Sequence, residues 1–300
     1  NNQYHLDTEL FLALVIGPLL FREAQEADIT SILKHWRIVL YLIFPVIFIS
    51  ALSMGGLAHV LWASLPLAAC VAVGAALGPT DLVAFASLSQ RFPFPKRVSN
   101  ILKGEGLLND ASGLVAFRMA LIAWTTGTFS LTQAGTSLAI SIVGGFAVGF
   151  ITALINRFLH TFLLSVRATD IASELLLELS LPLLTFFIAE EIHVSGIIAV
   201  VVAGILKASR FKKINLLEAQ VDTVTETVWQ TVTFMLNGSV FVILGMELEM
   251  IAEPILKSAF YNKVLLLLSV FLLTFLLFAI RFVMIYGFYA FRIKKLHKSL

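Results

Sequence analysis

Val264-Leu-Leu-Leu-Leu-Ser-Val-Phe-Leu-Leu-Thr-Phe-Leu-Leu-Phe-Ala-Ile280 carries two hydroxyls and no charge, and Arg281 follows it at once. Bilayer hydrocarbon is ~30 Å thick, which a helix rising ~1.5 Å per residue crosses in ~20 apolar residues. Residues 38–51, and 67–77 with their continuation to 88, form near-continuous apolar runs of the same kind. Lipid offers no partner to an open N–H or C=O, so such runs close their hydrogen bonds internally, as helices. Barrel strands would alternate polar and apolar over ~10 residues, and the sequence holds no such alternation. Hydrophobic residues make up 59% of the chain and charged residues 13%, against about half and a quarter in a soluble domain. The chain reads as an all-α polytopic membrane protein, a helical bundle crossing the cell membrane many times.

About nine hydrophobic segments are expected, at roughly 8–21, 38–61, 65–89, 98–124, 132–163, 170–189, 193–207, 225–246 and 260–291. The connections fix their direction. Arg22, Lys34 and Arg37 follow the first segment, and Arg91, Lys96, Arg97 and Lys103 the third. Arg157 and Arg167 close the fifth, Lys207, Arg210, Lys212 and Lys213 the seventh, and Arg292, Lys294, Lys295 and Lys298 the ninth. Seventeen of the 21 basic residues thus follow odd-numbered segments, the asymmetry that the positive-inside rule requires. Odd segments run inward, residues 90–103 and the basic end face the cytoplasm, and the first residues lie outside. Stretches 22–37 and 208–224 mix charge with apolar spacing, as segments lying along the inner membrane surface do. The opening Asn-Asn-Gln, the absence of a signal peptide and the basic end suggest one transmembrane domain over 1–300, incomplete at both ends.

A charge at the bilayer centre costs at least ~2.5–3.5 kcal/mol on insertion scales, so Asp81, Glu105 and Asp110, well inside hydrophobic segments, each need a reason. Asp81 ends Gly78-Pro79-Thr80-Asp81, in the middle of segment three. Pro79 lacks an N–H and disfavours helix at Gly78, and Thr80 or Asp81 suits the cap of a second half-helix. A discontinuous helix at that depth leaves carbonyls and amides free to hold an ion; a simple proline kink with an N-cap Asp is the alternative. Segment four carries Gly104-Glu105-Gly106-Leu107-Leu108-Asn109-Asp110. Glu105 and Asn109 lie one turn apart on one face, whereas Asp110 points about 140° away from Glu105. Two acids facing different neighbours suggest one permanently neutralised and one that titrates. Arg281 is the expected permanent partner, because it lies some ~16 Å of helix before the basic end, too deep to snorkel. Arg118 lies near the outer end of segment four, where snorkelling suffices.

Elsewhere the polar signals are weaker. Glu174 and Glu178 form an i,i+4 acidic pair that either lines an entry funnel or faces hydrated cavities. Asn237-Gly238-Ser239 reads as a polar break in segment eight, for packing rather than binding. Gly145, Gly149 and Ser141 make a small-xxx-small face suited to close helix contact, within the bundle first and across a homodimer second. Cys70 sits in an apolar run as a small hydrophobe, and the histidines form no metal-ligand spacing. No phosphate-binding loop occurs, and Ser112 has no intramembrane His to activate it, so an enzyme is not expected, nor a cofactor or a nucleic-acid partner.

Gly104-Glu105-Gly106-Leu107-Leu108-Asn109-Asp110-Ala111, with Thr80-Asp81 two dozen residues earlier, resembles the sodium/proton exchanger branch of the cation/proton antiporters. Pro18, His193-Val194-Ser195-Gly196, Phe241-Val-Ile-Leu-Gly245 and Arg281 before Phe291-Arg292-Ile293-Lys294 carry the resemblance across the chain. It implies a partial inverted-repeat antiporter fold in which Asp110 alternately holds a proton and a cation. Asn109 would stabilise the crossing of the broken helix, with Thr80 and Asp81 completing the ion shell and Glu105 paired to Arg281. An Asn-Asp pair implies one-for-one exchange in relatives, and Gly106 stands where many relatives carry Ser, removing a hydroxyl near the ion. The expected activity is antiport of a monovalent cation, Na⁺ first with Li⁺ or K⁺ as alternatives, against protons. A cation channel is the rival; it would need a continuous polar stripe or filter loop, whereas these polar residues cluster at one depth.

Overall fold

The computed structural model describes residues 8–27, 29–80, 92, 94–127, 131–166, 170–208, 216–257 and 263–297, and every element among them is helical. Helices α1 (Thr8–Phe11) and α2 (Gly17–Glu26) are joined by a π-helical turn, Leu12–Ile16. Next come α3 (Ile29–Lys34) and α4 (Trp36–Tyr41), then a second π turn, Leu42–Val46, leading into α5 (Ile47–Leu61). The remaining helices are α6 (Leu67–Ala76), α7 (Lys96–Thr126), α8 (Leu131–Ser165), α9 (Ile171–Glu191), α10 (Gly196–Ala208), α11 (Leu216–Lys257) and α12 (Lys263–His297). The described part of each expected segment is mainly helical, and residues 81–89 of the third lie outside the described residues. Five spans are long and apolar enough to cross a membrane on their own: Trp36–Leu61, Ala139–Leu163, Ile171–Glu191, Thr223–Met250 and Val264–Ala290. α6 and α10 are apolar but short, and α7 carries the polar residues of the Glu105 to Asp110 stretch.

One expectation changes. Asn237-Gly238-Ser239 does not interrupt its helix, since α11 runs unbroken through it. Ser239 Oγ bonds back to the Met235 carbonyl at 2.9 Å, so the hydroxyl is satisfied within the turn. Stretch 22–37 is largely helical: α2 extends to Glu26, Ala27 is extended with ψ 130°, and α3 follows.

The chain divides into two compact units. One comprises residues 30–134 and 254–300. In it α5 and α6 form a hairpin so tight that a Cβ at Gly74 would strike the Ala51 carbonyl. α12 covers that hairpin through Leu273, which clusters with Met54, Ala58 and Cys70. On the same unit, Ile101 of α7 packs with Ile38, Val39 and Val46 from the α4–α5 span. Pro45 sits inside the Leu42–Val46 turn, where the wider winding absorbs the hydrogen bond that proline cannot donate. α7 ends at Gly127, φ 68°, the left-handed position that glycine takes without a Cβ penalty.

The other unit comprises residues 1–29 and 135–253. Its core joins α2 to α10, where Gly204 lies against the Phe21 carbonyl and Ala24, and buries Trp229 against Phe21 with ring centroids 5.9 Å apart. The small-residue face of α8 is used within this unit: a Cβ at Gly145 would meet the Ser195 carbonyl, and one at Gly149 the Ala199 carbonyl. In both units large apolar side chains, Phe234, Phe271 and Phe275 among them, are exposed, as a surface facing lipid requires.

Candidate functional site

The polar centre of the first unit begins where α6 stops. Its last helical residue is Ala76; the Gly78 N–H still reaches the Ala75 carbonyl at 3.3 Å, and no helical winding continues through Pro79 to Thr80. The Pro79 ring occupies the space that a Cβ on Gly113 of α7 would need, so glycine at 113 lets α7 approach the break. Carbonyls at such a helix end carry partial negative charge. Two of them are engaged by side chains from other helices. Arg281 Nη2 of α12 donates to the Gly78 carbonyl at 2.6 Å, and Asn109 Nδ2 of α7 donates to the Thr80 carbonyl at 3.3 Å.

Glu105 and Asn109, one turn apart on α7, both face this break. Arg281 Nη1 lies 3.1 Å from Glu105 Oε1, with the Glu105 side chain 2% exposed and that of Arg281 17%. Thr80 Oγ1 stands 3.5 Å from the same carboxylate and accepts from Asn109 Nδ2 at 2.5 Å. Asn109 is fully buried, and its Oδ1 has no hydrogen-bond partner among the described residues. Ser112 Oγ donates to the Asn109 carbonyl at 2.8 Å. Four of the six residues singled out from sequence therefore meet here: Thr80, Glu105, Asn109 and Arg281. Asp81 and the Asp110 side chain lie outside the described residues, as does the second half of segment three; the backbone of Asp110 belongs to α7. Arg118, near the other end of α7, is exposed.

The second unit holds a polar network built around the acidic pair Glu174 and Glu178. Glu178 of α9 is buried; its Oε2 lies 2.7 Å from Lys207 Nζ of α10, and its Oε1 accepts from Gln25 Nε2 of α2. Lys207 Nζ also donates to Asn156 Oδ1 of α8 at 3.0 Å, and Asn156 Nδ2 to the Leu177 carbonyl at 3.2 Å. One turn away on α9, Glu174 lies 2.9 Å from His160 Nε2. Arg22 of α2 bridges to Glu226 of α11. The acidic pair is thus engaged by cross-helix partners. Lys207 by sequence is a cytoplasmic base ending segment seven, and the signal for its inward role is Asn156, an amide inside an apolar run. His193-Val194-Ser195-Gly196 works as a helix junction. His193 adopts φ 59°, the Val194 N–H reaches the Ala189 carbonyl, Ser195 Oγ caps the Ile198 N–H, and Gly196 N–H donates to Glu190 Oε1.

Comparison with known proteins gives a consistent picture. The family model described as sodium/hydrogen exchanger, transmembrane, matches residues 2–300. A sodium, potassium, lithium and rubidium/H(+) antiporter of Bacillus pumilus is 34% identical over 285 residues, 95% of this chain and 42% of that protein. The antiporter of the same name from Bacillus subtilis is 35% identical over 287 residues, 95% of this chain and 43% of its own length. The Na(+)/H(+) antiporter NhaH of Halobacillus dabanensis is 29% identical over 253 residues, 82% of this chain and 62% of that protein. The chain thus spans a little over two fifths of the two Bacillus relatives.

Proposed function

The chain belongs to the transmembrane sodium/hydrogen exchanger family, a family of multi-pass membrane transporters, and from that premise we propose that it carries the ion-exchanging part of a monovalent cation/proton antiporter in the cell membrane. The two compact units are read as parts of one exchanger domain. Asp110 is the group that holds a proton or a cation in turn, with Asn109, Thr80 and Asp81 supplying the neighbouring oxygens. One observation carries the assignment. Glu105 is neutralised by Arg281, while beside it the buried Asn109 spans to Thr80 with an acceptor oxygen that no described residue satisfies. A buried, unsatisfied carbonyl oxygen costs about 1–3 kcal/mol, and a cation bound there relieves that cost. The next residue on the same helix is the carboxylate Asp110. There H⁺ and a hard alkali cation would compete for one oxygen set.

Names of the Bacillus relatives cover sodium, potassium, lithium and rubidium; the same hard-oxygen chemistry here is assigned to Na⁺ first, with Li⁺ and K⁺ as competitors. Exchange then needs no ATP, only rocking of a bundle about a site near mid-membrane. Dye-quench exchange by the full-length protein in vesicles tests it: Asp110→Asn is expected to abolish cation-driven ΔpH dissipation at unchanged expression. Persistent exchange in that variant refutes the assignment. A homodimer is part of the proposal. Because Gly145 and Gly149 face α10, a second copy would meet the outward face of α8 at Val143, Phe146 and Phe150, all exposed. The mass of the detergent-solubilised particle checks this, and a monomer at all concentrations removes it.

A further inference from the structure

In the unit of residues 30–134 and 254–300, a cavity of about 210 Å³ opens between α4, α7 and α12. Tyr41 and Leu42, Val98 and Ile101, and Phe288 and Tyr289 make its walls, and Glu105 is among its lining residues. An apolar cavity of about 150 Å³ stays free of water and takes a hydrocarbon instead. This one is larger and opens to the outside, is lined almost wholly by apolar side chains, and includes Glu105, whose ion pair strengthens when water is kept away.

Charge at its cytoplasmic mouth is one-sided. Arg37 lies one turn before Tyr41, and Arg97 one turn before Ile101. Lys34 ends α3 just before α4, Lys96 and Lys103 lie on α7, and all five bases are exposed. Arg37 lies 5.5 Å from the centroid of the Trp36 ring, itself half exposed, an aromatic and cation combination suited to the headgroup layer. Acids in this unit number three, Asp81, Glu105 and Asp110, all inside hydrophobic segments. Nothing acidic in its sequence offsets the mouth.

We propose that this cavity is a binding site for one anionic phospholipid of the inner leaflet, an acyl chain lying between Tyr41, Ile101 and Phe288 and the headgroup phosphate held by Arg37 and Arg97. Bound there, the chain shields the Glu105–Arg281 pair from water. The site is independent of the exchange reading, because binding is measured without transport.

Full-length protein is stripped of lipid, supplied with phosphatidylglycerol or phosphatidylcholine of identical chains, and read by native mass spectrometry and melting temperature. Phosphatidylglycerol is expected to be retained and to raise the melting temperature, with phosphatidylcholine far weaker. A basic residue near a membrane surface strengthens anionic lipid attachment by about fivefold, so the Arg37→Gln, Arg97→Gln double variant should lose about 25-fold. Val98→Phe with Ile285→Phe enlarges two residues that line the cavity yet are 41% exposed, so folding is preserved while the acyl slot is filled. That variant should also lose retention. Equal retention of both lipids, or full phosphatidylglycerol retention by either variant, overturns the proposal. So does an equal shift from glycerol phosphate, which would mark a free-anion site without an acyl chain. Failure of all lipid to bind means that protein covers the cavity, and the proposal falls.

Discussion

Removing Arg281 should harm this protein more than neutralising the acid it pairs with. At 3.1 Å and an effective dielectric near 20, the attraction between the two charges is about 5 kcal/mol. Desolvation offsets much of that, but deleting one partner of a buried pair strands the other at a cost of about 3–5 kcal/mol. The two deletions are not equivalent. Arg281→Met leaves a carboxylate 2% exposed, with Thr80 Oγ1 at a distant 3.5 Å, and frees the Gly78 carbonyl. Glu105→Gln leaves a guanidinium that is 17% exposed and still bonded to Gly78, facing a neutral acceptor. Arg281→Met is therefore expected near the full ~3–5 kcal/mol, and Glu105→Gln nearer the ~1–3 kcal/mol of an altered charged hydrogen bond. The double variant, with no stranded charge, should be more stable than Arg281→Met alone. Melting of the full-length protein in detergent, scored by loss of the monodisperse peak, ranks the three. Strictly additive effects, or Glu105→Gln as the worst variant, would refute the reasoning.

Lys207→Met should likewise cost about 3–5 kcal/mol by stranding buried Glu178, and Glu178→Leu combined with it should recover part of the loss in the same melting assay. Gly149→Leu forces a side chain into the Ala199 carbonyl and should destabilise by at least ~1–3 kcal/mol. Gly287→Leu, where a Cβ meets nothing within 4 Å, serves as the neutral control. Asp170 caps α9 through a capping box with Ser173, whose hydroxyl and backbone N–H hold the Asp170 carboxyl below its ordinary range. A lowered folded value means stabilisation that is present above the ordinary carboxylate range, near pH ~4, and lost as pH falls through the lower folded value. Protection of amides 171–174 from hydrogen exchange should then differ between wild type and Asp170→Ala at neutral pH and converge in strong acid; a difference that persists in acid contradicts the cap.

Helix positions were legible because lipid leaves a chain few choices: apolar runs must be helical, and loop charge orients them. The pairing of Glu105 with Arg281 was legible for a related reason, since few basic residues lie deep enough to meet a buried acid. Lys207 escaped because a lysine at a helix end satisfies the orientation rule whether its ammonium reaches water or folds inward onto Glu178. Asn237-Gly238-Ser239 misled in the opposite sense. Interior glycine costs about 1 kcal/mol against alanine, less than the several kcal/mol of opening backbone bonds in lipid, so α11 continues. Pro79 differs because it has no N–H to give, and α6 accordingly ends before it.

The wide turn at Leu42–Val46 sets a frame for everything on either side of it. One surplus residue in a helix rotates the following side chains by about 100°. Upstream, Ile38 and Val39 are turned toward Ile101; downstream, Met54 and Ala58 are turned toward Cys70 and Leu273. Deleting any residue from 42 to 46 would let the winding regularise and would aim one of these halves at the wrong neighbour. Length variation is therefore far less tolerable at this spot than substitution, although every residue there is an ordinary hydrophobe or a proline.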